Sequence, residues 1–350
     1  RREKLDRITK VKGIAKTKAR MDMALFLLGN GYGYEATGVL KLIKPRASDV
    51  KANQQYRFLK GATDFLTGRY KDALGALMHP SIFGNDEGEY WRAAAKIAAG
   101  EDVLDAAKMM NAKGRVFATY PREVKMLMGI KTAEAAIIAG DIKSGIKYLG
   151  MLAKESPRPK EIDQLAYMEG HIKQMQGNFP GAIKAWQEVE KGEHRPSVAK
   201  AVLSRTELLL TTKKITKEEV IKELENLRFS WRGGSFEFSL LRKLGGLYLE
   251  AGDYRKGLRT LRTVVSNFRG HPDSIKITEK MGSAFQDLYL NGAADKIPPV
   301  RSLALFEEFK ELTPSGKDGD KLIQRLADRL AAVDLLEEAA KLLEQQIKFR

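Results

Sequence analysis

The sequence predicts an all-α protein, an α-α superhelix in which about nine helical hairpins stack as a solenoid, and three observations predict it. A small residue is followed twelve positions later by a second one, as Ala24/Ala36, Gly61/Ala73, Ala94/Ala106, Ala133/Gly145, Gly170/Ala182, Gly245/Gly257 and Ala327/Ala339. Between the members of most pairs stands a turn signal, Asn30-Gly31, Gly68-Arg69, Gly140-Asp141, Gly177-Asn178 or Gly252-Asp253. On either side apolar residues recur at spacings of three and four: Leu240, Leu241, Leu244, Leu247 and Tyr248 on one segment, Ile183, Trp186 and Val189 on another. Two helices joined by a tight turn approach closely only where side chains are small. A fixed small-to-small spacing across each turn therefore records one packing contact made repeatedly.

Taken in order, the second anchors at 36, 73, 106, 145 and 182 advance by 37, 33, 39 and 37 residues. A weaker unit with Leu208 and Val220 in the anchor positions fills the interval before Gly257. The next is irregular, with one helix over 273–290, the breakers Asn291-Gly292 and Ile297-Pro298-Pro299, and another helix over 301–312. The Ala327/Ala339 pair closes the series. Prolines 45, 80, 157, 196, 272 and 314 are expected to end units, since proline cannot continue a helix. The organisation expected is a single array over 1–350, with a basic lead-in helix at 1–20, repeats over 21–228, a loop-like break at 229–235 and repeats over 236–350. The glycine-rich stretch from Arg228 to Ser235, RFSWRGGS, is where curvature would change.

Composition fits a folded helical protein: 43% hydrophobic and 30% charged residues leave no room for a disordered reading. A formal net charge of +16 predicts attraction to acidic partners. Nine Lys or Arg against two acids crowd into the first twenty residues. That segment reads either as a solvated cap or as a polyanion-binding helix. The aromatic interleaving of a single-strand binder is missing from it, which argues against nucleic acid. There is no cysteine, which removes disulfides and thiolate sites and suits a periplasm or a cytosol alike. No run approaches the length that spans a bilayer. A chain that opens on Arg1 and stops at Phe349-Arg350 inside a helical pattern reads as a piece of something longer, from which a targeting segment could have been cut.

Leu244-Gly245, Tyr248, Gly252, Tyr254, Gly257, Leu261 and Pro272 together resemble the tetratricopeptide repeat pattern. The sets Gly170, Gly177, Phe179, Ala182, Trp186, Pro196 and Gly61, Gly68, Tyr70, Ala73, Leu77, Pro80 are similar. The units at Ala94, Leu208 and Phe306 depart from it, lacking the turn glycine or the small residue. Residues 227–262 and 295–314 also resemble the central part of long tetratricopeptide proteins of the alphaproteobacterial envelope. That resemblance implies a periplasmic or envelope-associated location and a partner that is a protein or peptide.

Catalytic and cofactor chemistry finds little support. Gly29-Asn30-Gly31-Tyr32-Gly33 looks like a phosphate-cradling loop, but it lies between two helices where such a loop needs a preceding strand. Ser315-Gly316-Lys317 lacks the rest of a P-loop. His79, His171, His194 and His271 are scattered without metal-ligand spacing, and no paired acid-base arrangement can be nominated. No enzyme activity, cofactor or metal is expected. What remains is a concave groove, which the resemblance implies is lined by the first helix of each unit. Carried over unit by unit, the lining positions are Gln55, Phe58, Ala62 and Phe65; Gln164, Tyr167, His171 and Gln174; Val202 and Arg205; Ser239 and Arg242; and Lys321 and Gln324. Amides and Arg suit a peptide backbone or carboxylate, and Phe and Tyr can anchor an apolar side chain. Trp91 and Trp186 read as packing, and Trp231 as a further contact candidate. The function expected is a non-catalytic protein-binding scaffold; polyanion binding and a rigid spacer within a longer protein are the alternatives.

Overall fold

The structure is a computed structural model that describes residues 2–43 and 50–348, so Pro45 lies outside the described residues. Among the described residues there is helix and no strand. The chain divides into two compact units, Arg1–Arg205 and Thr206–Arg350.

The first unit opens with α1 (Arg2–Lys10) and continues as hairpins α2/α3 (Gly13–Gly29, Gly33–Lys41), α4/α5 (Val50–Leu66, Tyr70–Leu77) and α6/α7 (Asp86–Ala99, Val103–Ala112). Hairpins α8/α9 (Arg122–Ile138, Ile142–Ala153) and α10/α11 (Pro159–Met175, Phe179–Val189) follow, and α12 (Arg195–Thr211) begins. The basic opening stretch is thus shared between α1 and the start of α2. The second unit holds α13 (Lys217–Ser230), hairpin α14/α15 (Gly234–Glu250, Tyr254–Asn267), α16/α17 (Ser274–Leu290, Pro299–Glu308) and α18/α19 (Lys317–Ala331, Leu336–Lys348). Of the RFSWRGGS stretch only residues 231–233 lie outside helix. Pro196 stands in the first turn of α12 and therefore helps to start a helix where it was expected to end a unit.

Every anchor read from the sequence is buried, Leu208 and Val220 included. At three of them the reason for glycine is steric. A Cβ on Gly61 would stand 2.5 Å from Leu77 Cγ, one on Gly245 would stand 2.7 Å from Leu261, and one on Gly170 would collide with the Trp186 indole. In all three the intruding side chain sits sixteen residues on, about two turns into the second helix. The hairpin closes because the first helix gives up a side chain and the second fills the space.

The turns follow one device. Gly177 takes φ +77 at the end of α10, and the Asn178 side chain then accepts from the Gly181 backbone N–H to cap α11. Gly140-Asp141 and Gly252-Asp253 repeat it, with Asp141 accepting from Ser144 and Asp253 from Lys256. The Ala94 hairpin, expected to lack a turn glycine, has one: Gly100 caps α6 at φ +78. The turns inside two other hairpins make the same backbone excursion without glycine. Lys213 stands at φ +55 between α12 and α13, and Asp334 at φ +64 between α18 and α19, a conformation that costs a side-chain-bearing residue about 1 kcal/mol. Gly316 at φ +76 caps the start of α18, so Ser315-Gly316-Lys317 is a helix entry, and Gly31 at φ +78 makes the Gly-rich stretch after α2 a hairpin turn.

Each unit has its own core. In the first, Tyr90, Trp91, Leu77, Met110, Phe117 and Leu152 are fully enclosed, and the buried Tyr90 hydroxyl pairs with Thr132 at 2.6 Å. In the second, Leu241, Leu258, Leu261, Phe285, Phe309, Leu322 and Leu330 fill the same role.

Candidate functional site

Where α8, α10 and the start of α12 lie side by side, the first unit has a groove of 440 Å³. Its apolar lining is Met126, Leu127 and Ile130 from α8 and Met168 from α10, and Leu127 is 40% exposed. Gln164, Tyr167, Lys131, Glu134, Ser197 and Lys200 supply polar groups, together with His194 and the carboxylates of Glu123 and Glu161. An accessible apolar surface beside a few converging polar groups is the usual form of a binding site.

Glu134 is the electrostatic centre. Lys131 reaches its carboxylate at 2.8 Å and Lys200 at 3.6 Å. Burial pushes the Glu134 carboxyl up, but the two ammonium groups outweigh burial and hold it down to about 2. It stays ionised, and the trio carries one positive charge in excess. Lys200 also lies over the Tyr167 ring, 5.9 Å from its centroid.

Next to this trio on α10, aromatic packing stiffens the wall. The His171 ring meets Tyr167 edge-on at 4.7 Å and Trp186 at 5.1 Å. The Trp186 indole N–H donates to the Tyr167 carbonyl at 3.2 Å. Burial drives the His171 pKa down to about 4, against the pull of Glu134 and with the help of Lys200, so its ring is neutral at physiological pH. Ser204 lies 3.4 Å from both His171 Nε2 and the Tyr167 hydroxyl. At the other end the Asp163 carboxylate accepts the backbone N–H groups of Glu193 and His194 at 2.7 and 2.8 Å, which pins the entry to α12. His194, its pKa lowered first by burial, pairs with Gln164 at 2.9 Å and with the Ser197 hydroxyl at 2.8 Å.

The structure therefore brings Gln164, Tyr167 and His171 together, with Gln174 close to His171. It leaves other sequence candidates elsewhere. Phe65 and Ala62 are core residues: Phe65 packs edge-on to Trp91 at 5.6 Å, and Phe58 does so at 6.3 Å while half-buried. Gln55 is half-buried on α4 and outside the groove lining. Arg205 faces α11, where its Nε donates to Glu190 at 2.6 Å, and Val202 is half-buried beside it. Arg242, in the second unit, is exposed and pairs with Asp273 at 3.2 Å; Ser239 donates to the Ser235 carbonyl. Lys321 and Gln324 are exposed on α18. Trp91 and Trp186 are enclosed, and the Trp231 indole donates to the Gly233 carbonyl.

Sequence reasoning missed Leu127, Ile130 and Glu134. The signal was present: they stand at the same offsets from anchor Ala133 as Gln164, Tyr167 and His171 do from Gly170. Lys200 is different, because α12 presents its first turns to the groove and no offset from Leu208 says so.

Among the described residues no group of three His, Cys, Asp or Glu is placed to hold a metal ion, and no helix is long and apolar enough to cross a membrane.

No protein-family model matches the chain, and no curated protein matches it in sequence. Solved structures do match. A Rap protein complexed with competence and sporulation factor superposes with a TM-score of 0.57 at 12% identity, over 95% of this chain and 97% of that one. A tetratricopeptide repeat protein from Parabacteroides merdae gives 0.48 at 12% identity, over 77% of this chain and 98% of that one. At such identities the likeness concerns the fold: the chain is folded as an all-α tetratricopeptide-type array of helical hairpins.

Proposed function

We propose that the protein is a non-catalytic scaffold that holds a peptide segment of a protein partner along the α8–α10–α12 groove. The observation that carries this reading is the groove itself, in which the exposed apolar surface of Leu127, backed by the buried Ile130, adjoins Tyr167, Gln164 and the Lys131–Glu134–Lys200 trio. An extended peptide needs apolar contacts for its side chains and polar groups for its backbone, and a preformed wall lowers the ordering cost of binding. Buried anchors such as Gly170 and the ring stack behind Tyr167 supply that rigidity. The similar Rap structure is itself a complex, with competence and sporulation factor, which supports a ligand-holding role for such a stack.

Selection of phage-displayed random peptides against the protein tests this. Peptides are expected to lose about tenfold or more in affinity on Tyr167→Ala or Lys200→Ala, the order expected for losing an aromatic anchor or a charge-assisted contact. Arg242→Ala, in the other unit, should leave them unchanged. Peptides that bind the Tyr167/Lys200 double variant as tightly as the parent would remove the groove from the account. The envelope location belongs to the same proposal and rests on the sequence resemblance; recovery of the native protein from spheroplast cytosol alone would end it.

A further inference from the structure

Outside the groove, the second unit has a hollow of 490 Å³ between the second helices of three consecutive hairpins, α13, α15 and α17, with Tyr248 of α14 at its wall. Its charged lining is Arg228, Lys256, Arg259 and Arg262 against Glu225 and Glu308. Nothing in the peptide-binding reading uses it.

The guanidinium arrangement is uneven. Glu308, only 14% exposed, is shared by three arginines of α15: Arg255 reaches it through Nε at 2.7 Å, Arg259 also through Nε, and Arg262 through Nη2 at 3.6 Å. Arg262 is further fixed by donating to the Glu308 carbonyl at 2.9 Å and by lying over the Phe309 ring at 4.5 Å. One carboxylate cannot satisfy three guanidinium groups. Because Arg255 and Arg259 are held by Nε, the terminal nitrogens of both have no acceptor within hydrogen-bond distance among the described residues, and their side chains are 56% and 54% exposed. Lys256 and Arg262 also meet Asp253 and Glu311, but those carboxylates are 37% and 53% exposed and compete weakly with a ligand. Arg228 contacts Glu225 at 3.3 Å, and that same carboxylate accepts the Tyr248 hydroxyl.

From this geometry we infer that the hollow is an anion site for a small soluble phosphomonoester. A phosphoryl group carries three oxygens and close to two negative charges, which matches the guanidinium fork of Arg259, with Arg255 beside it on Glu308, and the two-charge excess of the lining. The volume lies in the range of small-molecule sites. A concavity walled by Tyr248, Thr260 and Thr263 suits a compact ligand.

Isothermal titration with glucose 6-phosphate at low ionic strength is the test. Saturable binding is expected, about tenfold or more weaker in Arg255→Gln/Arg259→Gln and also reduced in Arg228→Gln/Lys256→Gln, which leaves Glu308 its three partners. Glucose should give no heat, and sodium sulfate at matched ionic strength a smaller effect. Failure of glucose 6-phosphate to bind, equal binding by sulfate, or undiminished binding by both variants would overturn the inference. Tighter binding by single-stranded DNA or by phosphatidylglycerol vesicles would overturn it too, in favour of a macromolecular polyanion.

Discussion

The groove of the first unit and the hollow of the second are built on the same kind of hairpin by opposite means. In the groove, polar groups stand on a packed aromatic wall, with His171 between Tyr167 and Trp186, and the ionic trio there centres on Glu134, only 24% exposed. In the hollow the second helices are held together by charge, three exposed arginines closing on Glu308. The architecture thus permits either kind of surface. A first-helix face, stacked against its neighbours, can be shaped by volume, whereas a second-helix face with long side chains is shaped by ion pairs.

That contrast can be broken at several points, the most demanding being the aromatic wall. Trp186→Ala, which empties the space that Gly170 leaves, should cost about 4 kcal/mol. Urea unfolding measures it, and a loss below about 1 kcal/mol would mean that packing does not hold the groove. Next comes pH. His171 has its pKa lowered from 6.5 to about 4, so the folded state prefers the neutral ring. Its contribution is full above pH 6.5 and is lost as pH falls towards 4, a change on the order of 3 kcal/mol. Glu134, lowered to about 2, gives way only at more acid pH. Stability followed against pH should show the His171 loss, and His171→Phe should flatten it; an unchanged profile would detach the ring from the wall.

The hollow should answer to salt instead. Glu308→Gln is expected to cost about 1 kcal/mol at low ionic strength and little at 1 M salt, because its partners are exposed and screened. A salt-independent loss would mean that Glu308 acts through packing. The smallest effect separates the turns of the two units: Lys213→Gly should stabilise by about 0.5 kcal/mol, whereas Gly177→Ala should destabilise by about 1 kcal/mol, since both positions have positive φ. Thermal unfolding of the pair would show shifts of opposite sign.

How much of this could be read from the chain depends on sequence distance. The crossings were legible because Gly170 and Trp186, or Gly245 and Leu261, meet within one hairpin and recur. The turns were legible because Gly-Asx does two local jobs in adjacent residues. The groove was half legible: Gln164, Tyr167 and His171 followed from one repeat, but the part taken by each neighbouring helix depends on how hairpins stack. Arg205, expected in the lining, turns to Glu190 on the preceding hairpin, while Lys200 enters instead. The arginine cluster was not legible, because Arg255 and Glu308 stand 53 residues apart across the irregular α16/α17 hairpin.

The distribution of indoles equips the molecule with its own optical reporters. Trp91 and Trp186 are sealed inside the first unit, and Trp231 is partly exposed in the second. Iodide should therefore quench a red-shifted emission from Trp231 and spare a blue-shifted emission from the other two. Fluorescence can follow each half of the chain separately, with no label attached.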